Sequence, residues 1–110
     1  MSTILESLGG DRVEKFWYAQ KSWSESIFGL DSKRGPEGPL KHLEKEVKEI
    51  LENPTDLLEY VDAFFLIIDA TRRAGFNYHE FMSAVEYKLA INKRRKWGKS
   101  SSNDPVEHIR

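Results

Sequence analysis

The chain has 110 residues, of which 39% are hydrophobic and 12% aromatic, which is enough for about one small domain with a modest core. Its 17 basic and 18 acidic residues leave a formal net charge of -1, so overall charge favours neither nucleic acid nor an anionic membrane as a partner. The absence of cysteine excludes disulfides and thiolate metal sites and fits a reducing cytoplasm. The sequence shows no export signal or membrane-spanning run, so we expect a soluble, unexported protein.

The first predicted helix follows Asp11. Asp11 and Glu14 have the spacing of a capping box, and apolar residues recur at helical spacing until Gly29 ends the run. The next segment, GLDSKRGPEGP, contains three glycines and two prolines, which predicts a loop of roughly ten residues. Such a loop is long for a small bundle, and long loops often carry function.

Two further helices are predicted on either side of a tight turn. Residues 40–52 carry one apolar stripe, and Asn53 then has the character of an N-cap, with Pro54 in the first helical position. Gly75 should end this third helix. Because the turn is short, the second and third helices should be antiparallel neighbours. The third helix is apolar over most of its circumference, so we expect it to be buried.

A fourth helix is predicted from the capping box of Asn77 and Glu80 to about Lys96. No segment alternates with period two over any length, so the predicted fold is an all-α bundle of four helices without a sheet. We assign residues 1–98 to a single domain and residues 99–110 to a polar C-terminal tail.

Acidic residues interrupt the apolar pattern at two places. The motif EVKE holds Glu46 and Glu49 on the second helix, and EYVD holds Glu59 and Asp62 on the third, where the short hairpin can bring them face to face. Four carboxylates in a poorly solvated site repel one another unless they are protonated or neutralised by cations. Mg²⁺ or Mn²⁺ suits such an oxygen-only ligand set. The alternative, which is more common for a single E-x-x-E, is a solvated helix face paired with lysines.

A second polar set lies on the fourth helix. Lys88, Asn92 and Arg95 have the spacing i, i+4, i+7 and should share one face of it. Basic donors that face a metal-carboxylate cluster would suit a polyphosphate. The alternative is a solvated helix end, where basic residues also favour the helix dipole. A nucleic-acid contact through INKRRKWGK is a weaker interpretation of one short basic run.

Three residues of the first helix are candidates for contacts to a base or sugar. Gln20 interrupts the apolar stripe between Trp17 and Trp23, so an amide could hydrogen-bond a base and an indole could stack on it. The alternative is that the two indoles belong to the core and that Gln20 is a hydrogen-bonded residue at its boundary.

Two more polar residues are candidates for roles behind the metal ligands. His42 could orient a carboxylate or the preceding loop, or it could simply be a packed boundary residue. Asp69 can pair with Arg73 one turn later, so we expect it to be structural or to support the metal ligands from behind.

The two acidic motifs resemble the E-x-x-E…E-x-x-D signature of the all-α, MazG-like nucleoside triphosphate pyrophosphohydrolases. Further blocks are similar to the dATP/dGTP diphosphohydrolase branch, known as MazZ in phages: FWYAQKSWSESIFG, RGPEGPLKHLEKEVKEI, NPTDLLEYVDAFFLIIDATRRAG, KLAINKRRKW and VEHIR. The match runs over nearly the whole chain from about Phe16. The chain departs from the wider family at Lys45, where many members have the first acid of E-E-x-x-E, so that a catalytic base at that position is in doubt.

The resemblance implies hydrolysis of a purine nucleoside triphosphate, dGTP or dATP, to the monophosphate and pyrophosphate, in some phages as part of 2-aminoadenine nucleotide metabolism. The four acids of the two motifs would form the catalytic centre with about two or three Mg²⁺ ions, or Mn²⁺ in their place, and the polar set of the fourth helix would bind the triphosphate. We expect a homodimer or homotetramer, because the third helix is apolar nearly all round and four short helices hardly suffice to cover it, and the resemblance implies the same. We expect it in the cytoplasm of a bacterium or phage-infected host, with the tail folded over the nucleotide or a neighbouring subunit. The alternative function is a helical interaction module with a basic, nucleic-acid-binding C-terminal segment.

Overall fold

The computed structural model describes residues 12–97 and 108–109 of the chain. Within these ranges the chain forms four α-helices: α1 Arg12–Phe28, α2 Glu37–Glu52, α3 Leu57–Arg73 and α4 Tyr78–Arg94. The predicted all-α class and the number of helices are therefore confirmed. The capping residue predicted for α1, Asp11, lies outside the described residues. None of the described helices has the length and apolar character needed to cross a membrane.

The segment after α1 is more ordered than the sequence suggested. Gly29 ends α1 as predicted, with φ of +94° and its N–H donating to the Glu25 carbonyl at 3.0 Å. The predicted loop is shorter than expected, because a 3₁₀ helix occupies Asp31–Lys33 and α2 already begins at Glu37. Pro39 fits within the first turn of α2, since the first N–H groups of a helix need no partner inside it.

The cap of α3 differs from the prediction. Asn53 terminates α2, and Asp56 is the N-cap of α3, with its Oδ1 accepting the N–H of Leu58 at 3.1 Å. The prediction that Asn53 caps α3 and Pro54 opens it was wrong, because the chain turns once more before it enters the helix. Asp56 has an extended conformation that lets its carboxylate reach back to the helix start, as an N-cap requires.

The end of α3 has the hydrogen bonds of a Schellman motif. The N–H of Gly75 donates to the Arg72 carbonyl at 2.9 Å, and the N–H of Phe76 donates to the Thr71 carbonyl at 3.3 Å. Gly75 has φ of +103°, a conformation that glycine adopts without a steric penalty. The predicted stop at Gly75 is therefore confirmed.

The chain divides into two compact units, residues 1–78 and 79–110. In the first unit α2 and α3 form the predicted hairpin and pack against each other, while α1 and the 3₁₀ helix also contact α3. The second unit contains nearly all of α4. It also contains two short strands, β1 (Lys96–Trp97) and β2 (His108–Ile109), which pair antiparallel. This two-residue ladder departs from the prediction of a chain without any strand pairing.

The apolar surface of α3 is less covered than its sequence predicts. Ile68 and Ala70 are buried, but Leu57 and Leu58 are 72% and 70% exposed, and Phe64 is also exposed. The expectation that α3 is buried is therefore met only in part by the described residues of one chain, and the exposed part agrees with the expectation that four short helices hardly cover it. Within the first unit α1, α2 and the 3₁₀ helix contact only part of its circumference.

Candidate active site

Three of the predicted metal ligands come together on the α2–α3 hairpin. Glu46 and Glu49, one helical turn apart on α2, face Glu59 near the start of α3. One carboxylate oxygen from each of the three lies within 4.8 Å of the other two. Glu46 is buried, and Glu49 and Glu59 are half-buried. We call these three residues the carboxylate cluster.

The electrostatics of the cluster are those of crowded negative charge. The pKa of Glu59 is raised above its ordinary value, chiefly because its protonated form can share a side-chain hydrogen bond with Glu46, then by loss of solvent, and then by repulsion from Glu46, Glu49 and Asp56. Among the described residues, no lysine or arginine forms an ion pair with the cluster. A proton or a cation is therefore needed to relieve the repulsion.

The cluster fits a hard divalent cation. Glu46 Oε2 is buried and has no hydrogen-bond partner among the described residues, while Glu46 Oε1 lies 3.6 Å from His42 Nε2. An unpartnered carboxylate oxygen away from water is costly, and coordination of a cation would satisfy it. Oxygen ligands of this kind are those that Mg²⁺, Mn²⁺ and Ca²⁺ prefer.

The fourth predicted ligand, Asp62, lies outside this group of three. It is exposed, and together with Glu46 it lines a cavity of about 280 Å³ between α1, α2 and α3. We call this space the central cavity. Four other residues that the sequence singled out also line it: Gln20, Trp23, His42 and Asp69. The structure thus gathers most of the predicted site residues of the first unit around one space.

Gln20 belongs to a hydrogen-bonded network in the interior of the first unit. Its Nε2 donates to Asp69 Oδ1 at 3.0 Å, and its Oε1 accepts from the Arg72 guanidinium at 2.5 Å. Arg72 also donates to Asp69 Oδ1 at 2.5 Å and to Asp31 Oδ2 at 2.8 Å. All four residues are buried. We call them the Arg72 network.

The partner of Asp69 differs from the prediction. Asp69 pairs with Arg72, three residues later, and not with Arg73. The guanidinium of Arg72 lies 5.9 Å from the centroid of the Trp17 ring, so an aromatic face covers it as well. Sequence reasoning missed both Arg72 and Asp31, because neither has a spacing that marks it as buried.

The three candidates for base or sugar contacts have different surroundings. Trp17 is 2% exposed and lies edge-on to Tyr78, with ring centroids 5.8 Å apart, which is the arrangement of a core residue. Gln20 is buried with both ends of its amide engaged. Trp23 is 56% exposed and lines the central cavity. Its ring also lies edge-to-face with Phe28, with centroids 6.1 Å apart, so Trp23 is the candidate that is exposed to a ligand although it has a ring partner.

The predicted phosphate-binding residues lie in the second unit. Lys88 and Asn92 line a shallow apolar cavity on α4, together with Val85 and Leu89. Arg95 follows the end of α4, and its N–H donates to the Asn92 carbonyl at 3.3 Å. Their role toward phosphate stays a prediction.

These observations first define a class: an all-α protein with an acidic site for divalent cations on a helical hairpin. The sequence pattern of the dATP/dGTP pyrophosphohydrolase family matches residues 17–110, and the chain belongs to that family. This membership confirms the resemblance to the MazG-like pyrophosphohydrolases.

Two curated relatives come from phages. The chain is 43% identical over 88 residues to the Eaa protein of Salmonella phage P22, an alignment that covers 80% of this chain but only 27% of that protein. It is 32% identical over 85 residues to the dATP/dGTP diphosphohydrolase of cyanophage S-2L, which covers 76% of this chain and 77% of that protein. The chain thus spans about a quarter of the first relative and three quarters of the second.

One solved structure has the same fold. It is the cyanophage S-2L MazG-like pyrophosphohydrolase bound to dGDP and three catalytic Mn²⁺ ions per active site. The TM-score is 0.70 at 26% sequence identity, and the alignment covers 89% of this chain and 97% of that one.

Proposed function

We propose that the protein is a divalent-metal-dependent hydrolase that converts a purine deoxynucleoside triphosphate, dGTP or dATP, into the monophosphate and pyrophosphate. The observation that carries this proposal is the carboxylate cluster, with its buried, unpartnered oxygen on Glu46 and the raised pKa of Glu59. Family membership and the dGDP and Mn²⁺ bound by the cyanophage structure support it. Because its relatives are phage proteins, we place the activity in phage nucleotide metabolism.

The four acids of the two motifs would hold the metal. Glu46, Glu49 and Glu59 already converge, and Asp62, one turn after Glu59, would complete the set from the adjoining cavity. Mg²⁺ is the ion we propose, with Mn²⁺ as a substitute. Bound there, such ions neutralise phosphate charge and lower the pKa of water.

The protein's own residues position the substrate. Lys88, Asn92 and Arg95 would bind the triphosphate, because guanidinium, ammonium and amide groups all donate hydrogen bonds to phosphate oxygens. His42 would hold the Glu46 carboxylate in place from 3.6 Å. Lys45 is exposed and stands where many members of the wider family have an acid, so we assign the activation of water to the acids of the cluster.

Assembly as a homodimer or homotetramer in the cytoplasm of the infected cell is also part of the proposal. The exposed apolar residues of α3, Leu57, Leu58 and Phe64, support it, because a second copy could cover them. Sedimentation analysis of the wild type and of a Leu58→Glu variant tests this point. A monomeric wild type would contradict it.

Product analysis tests the reaction. The protein is incubated with dGTP, dATP or dCTP, with and without Mg²⁺, and the products are separated by chromatography. We expect monophosphate and pyrophosphate from dGTP or dATP when Mg²⁺ is present. We expect no products from dCTP, and none from any nucleotide without Mg²⁺. Diphosphate and orthophosphate would place the attack at the γ-phosphorus and contradict the proposal.

A pair of variants links the reaction to the cluster. Glu49→Gln should reduce the rate of pyrophosphate release by about a hundredfold or more. Glu44→Gln, which removes the same charge from an exposed position on the same helix, should leave it intact. Equal activity in both variants would show that the cluster is not the catalytic centre.

A further inference from the structure

Arg73 is a half-buried arginine to which the described part of the chain offers no partner. Among the described residues it forms no hydrogen bond or ion pair, and its Nε is shielded from solvent. Its neighbour Arg72 makes three hydrogen bonds to side chains. An N–H group that loses water without gaining an acceptor is unfavourable for folding, so the shielded Nε of Arg73 points to a ligand that brings acceptor groups.

Arg73 lines a cavity of about 170 Å³ at the start of α2. A Cβ added at Gly38, in the first turn of α2, would lie 3.9 Å from the Arg73 guanidinium, so this group reaches across to the beginning of that helix. Asp69 lines the same cavity, but its Oδ1 is already held by Gln20 and Arg72. An acceptor supplied by a ligand in this cavity would complete the hydrogen bonding of Arg73.

This second cavity adjoins the central cavity. The two share Phe28, His42, Leu66 and Asp69 in their walls. Eight residues of α2 separate Gly38 from Glu46, or about 12 Å at 1.5 Å per residue. A nucleotide whose phosphates lie at the carboxylate cluster therefore has room to extend its sugar and base along the hairpin toward Arg73.

We propose that Arg73 is a specificity-determining residue that donates to O6 and N7 of guanine. The inference rests on the proposed function and deepens it. The flat guanidinium fork matches two adjacent acceptors, which is the pattern that O6 and N7 of guanine present. Adenine has an amino group in place of O6, and the N–H groups of that amino group would face the N–H groups of the Arg73 guanidinium, so no hydrogen bond could form there. The site therefore prefers guanine to adenine.

The variant Arg73→Met tests this assignment, because methionine keeps the length of the side chain and removes the donors. We expect kcat/KM for dGTP to fall by about tenfold or more and that for dATP to stay within about twofold of the wild type. The kcat/KM for dITP, which keeps O6 and N7 but lacks the 2-amino group, should fall by about the same factor as that for dGTP. Arg73→Lys should restore part of the loss, and Arg12→Met, an exposed arginine on α1, should have no effect.

Three results would overturn the inference. Unchanged activity on both dGTP and dATP would show that Arg73 does not contact the nucleotide, and an equal loss for both would place it at the sugar or phosphates. A lower unfolding temperature for Arg73→Met without nucleotide would reveal a structural role, whereas loss of an unpaired charge should leave this temperature unchanged or higher.

A binding experiment separates this inference from the reaction itself. If the wild type releases no pyrophosphate from any nucleotide, the proposed reaction fails, but calorimetric titration of dGMP and dAMP still tests Arg73. Weaker binding of dGMP alone in Arg73→Met supports the assignment. Equal binding of dGMP and dAMP by the wild type contradicts it.

Discussion

The Arg72 network and the carboxylate cluster are two groups of buried or half-buried charged side chains. They differ in whether the carboxylates have a basic partner. In the network, one guanidinium is bonded to two carboxylates and an amide, and the Trp17 ring covers it. In the cluster, three carboxylates converge, and the nearest basic side chain is His42, 3.6 Å from Glu46. Each carboxylate of the network has the Arg72 guanidinium as a partner, although Asp31 Oδ1 is buried without a hydrogen bond. Among the described residues the cluster has no lysine or arginine partner, so it needs a proton or a cation from outside. Compensation thus distinguishes a charge that supports the fold from one that awaits a ligand.

The largest expected effect on stability is that of Arg72→Met. This change leaves Asp31 and Asp69 buried without their cation, which typically costs about 3–5 kcal/mol in the free energy of unfolding. Urea unfolding measures the loss, with Arg12→Met as the matched control at an exposed site. A change below about 1 kcal/mol would show that the network is not what holds α1, the 3₁₀ helix and α3 together.

The second effect is a loss of activity without a loss of stability, in contrast to Arg72→Met. Glu49→Gln should reduce the rate of pyrophosphate release by about a hundredfold or more, because a metal ligand is lost. Without metal, its free energy of unfolding should equal or exceed that of the wild type, since one of the repelling charges is gone. Initial rates and urea unfolding of the same preparation provide both numbers. A Glu49→Gln variant that is destabilised but still active would contradict the claim that the cluster serves activity and the network serves stability.

A smaller effect is expected at Asp56, which caps α3 and also repels Glu59. Asp56→Ala removes the cap and should cost about 1 kcal/mol in the free energy of unfolding. Asp56→Asn keeps a capping side chain and removes the charge, so its stability should match or exceed that of the wild type. Thermal unfolding in the absence of metal compares the two, and equal losses would mean that the charge of Asp56 does not disturb the cluster.

The smallest effect depends on pH and involves Glu25. A hydrogen bond from Lys21, followed by one from the Asp31 backbone, lowers the pKa of Glu25 below its ordinary value of 4.5. The ionised carboxylate therefore stabilises the fold above pH 4.5, and this contribution disappears as the pH falls through the lowered pKa. Glu25→Gln should lower the free energy of unfolding by less than about 1 kcal/mol at pH 7, and by progressively less as the solution becomes more acidic. A loss that stays constant with pH would assign the effect to packing.

The hairpin and its acids could be predicted because both depend on local spacing. The short connection after residue 52 makes α2 and α3 neighbours, and the periodicity of the helix puts Glu46 and Glu49 on one face. The cap was misplaced because Asn53 and Asp56 are both good N-cap residues, and the extra turn between them has no strong signature.

The Arg72 network could not be predicted, because it depends on contacts between distant segments. Arg72 and Arg73 both lie about one turn after Asp69, and only the packing of α1 and the 3₁₀ helix decides which of them points inward. Asp31 lies in a segment rich in glycine and proline, where a buried carboxylate has no recognisable pattern. Which part of α3 stays exposed could likewise not be predicted, because apolar character does not reveal which neighbours are available to cover it.

Binding of Mn²⁺ to the protein tests the central claim most directly. Free Mn²⁺ is followed by its electron paramagnetic resonance signal during titration of the wild type, Glu49→Gln and Glu44→Gln. The wild type and Glu44→Gln should bind the metal, and Glu49→Gln should bind it at least about tenfold more weakly. Failure of the wild type to bind Mn²⁺, or equal binding by all three proteins, would contradict the view that the uncompensated carboxylates are a metal site.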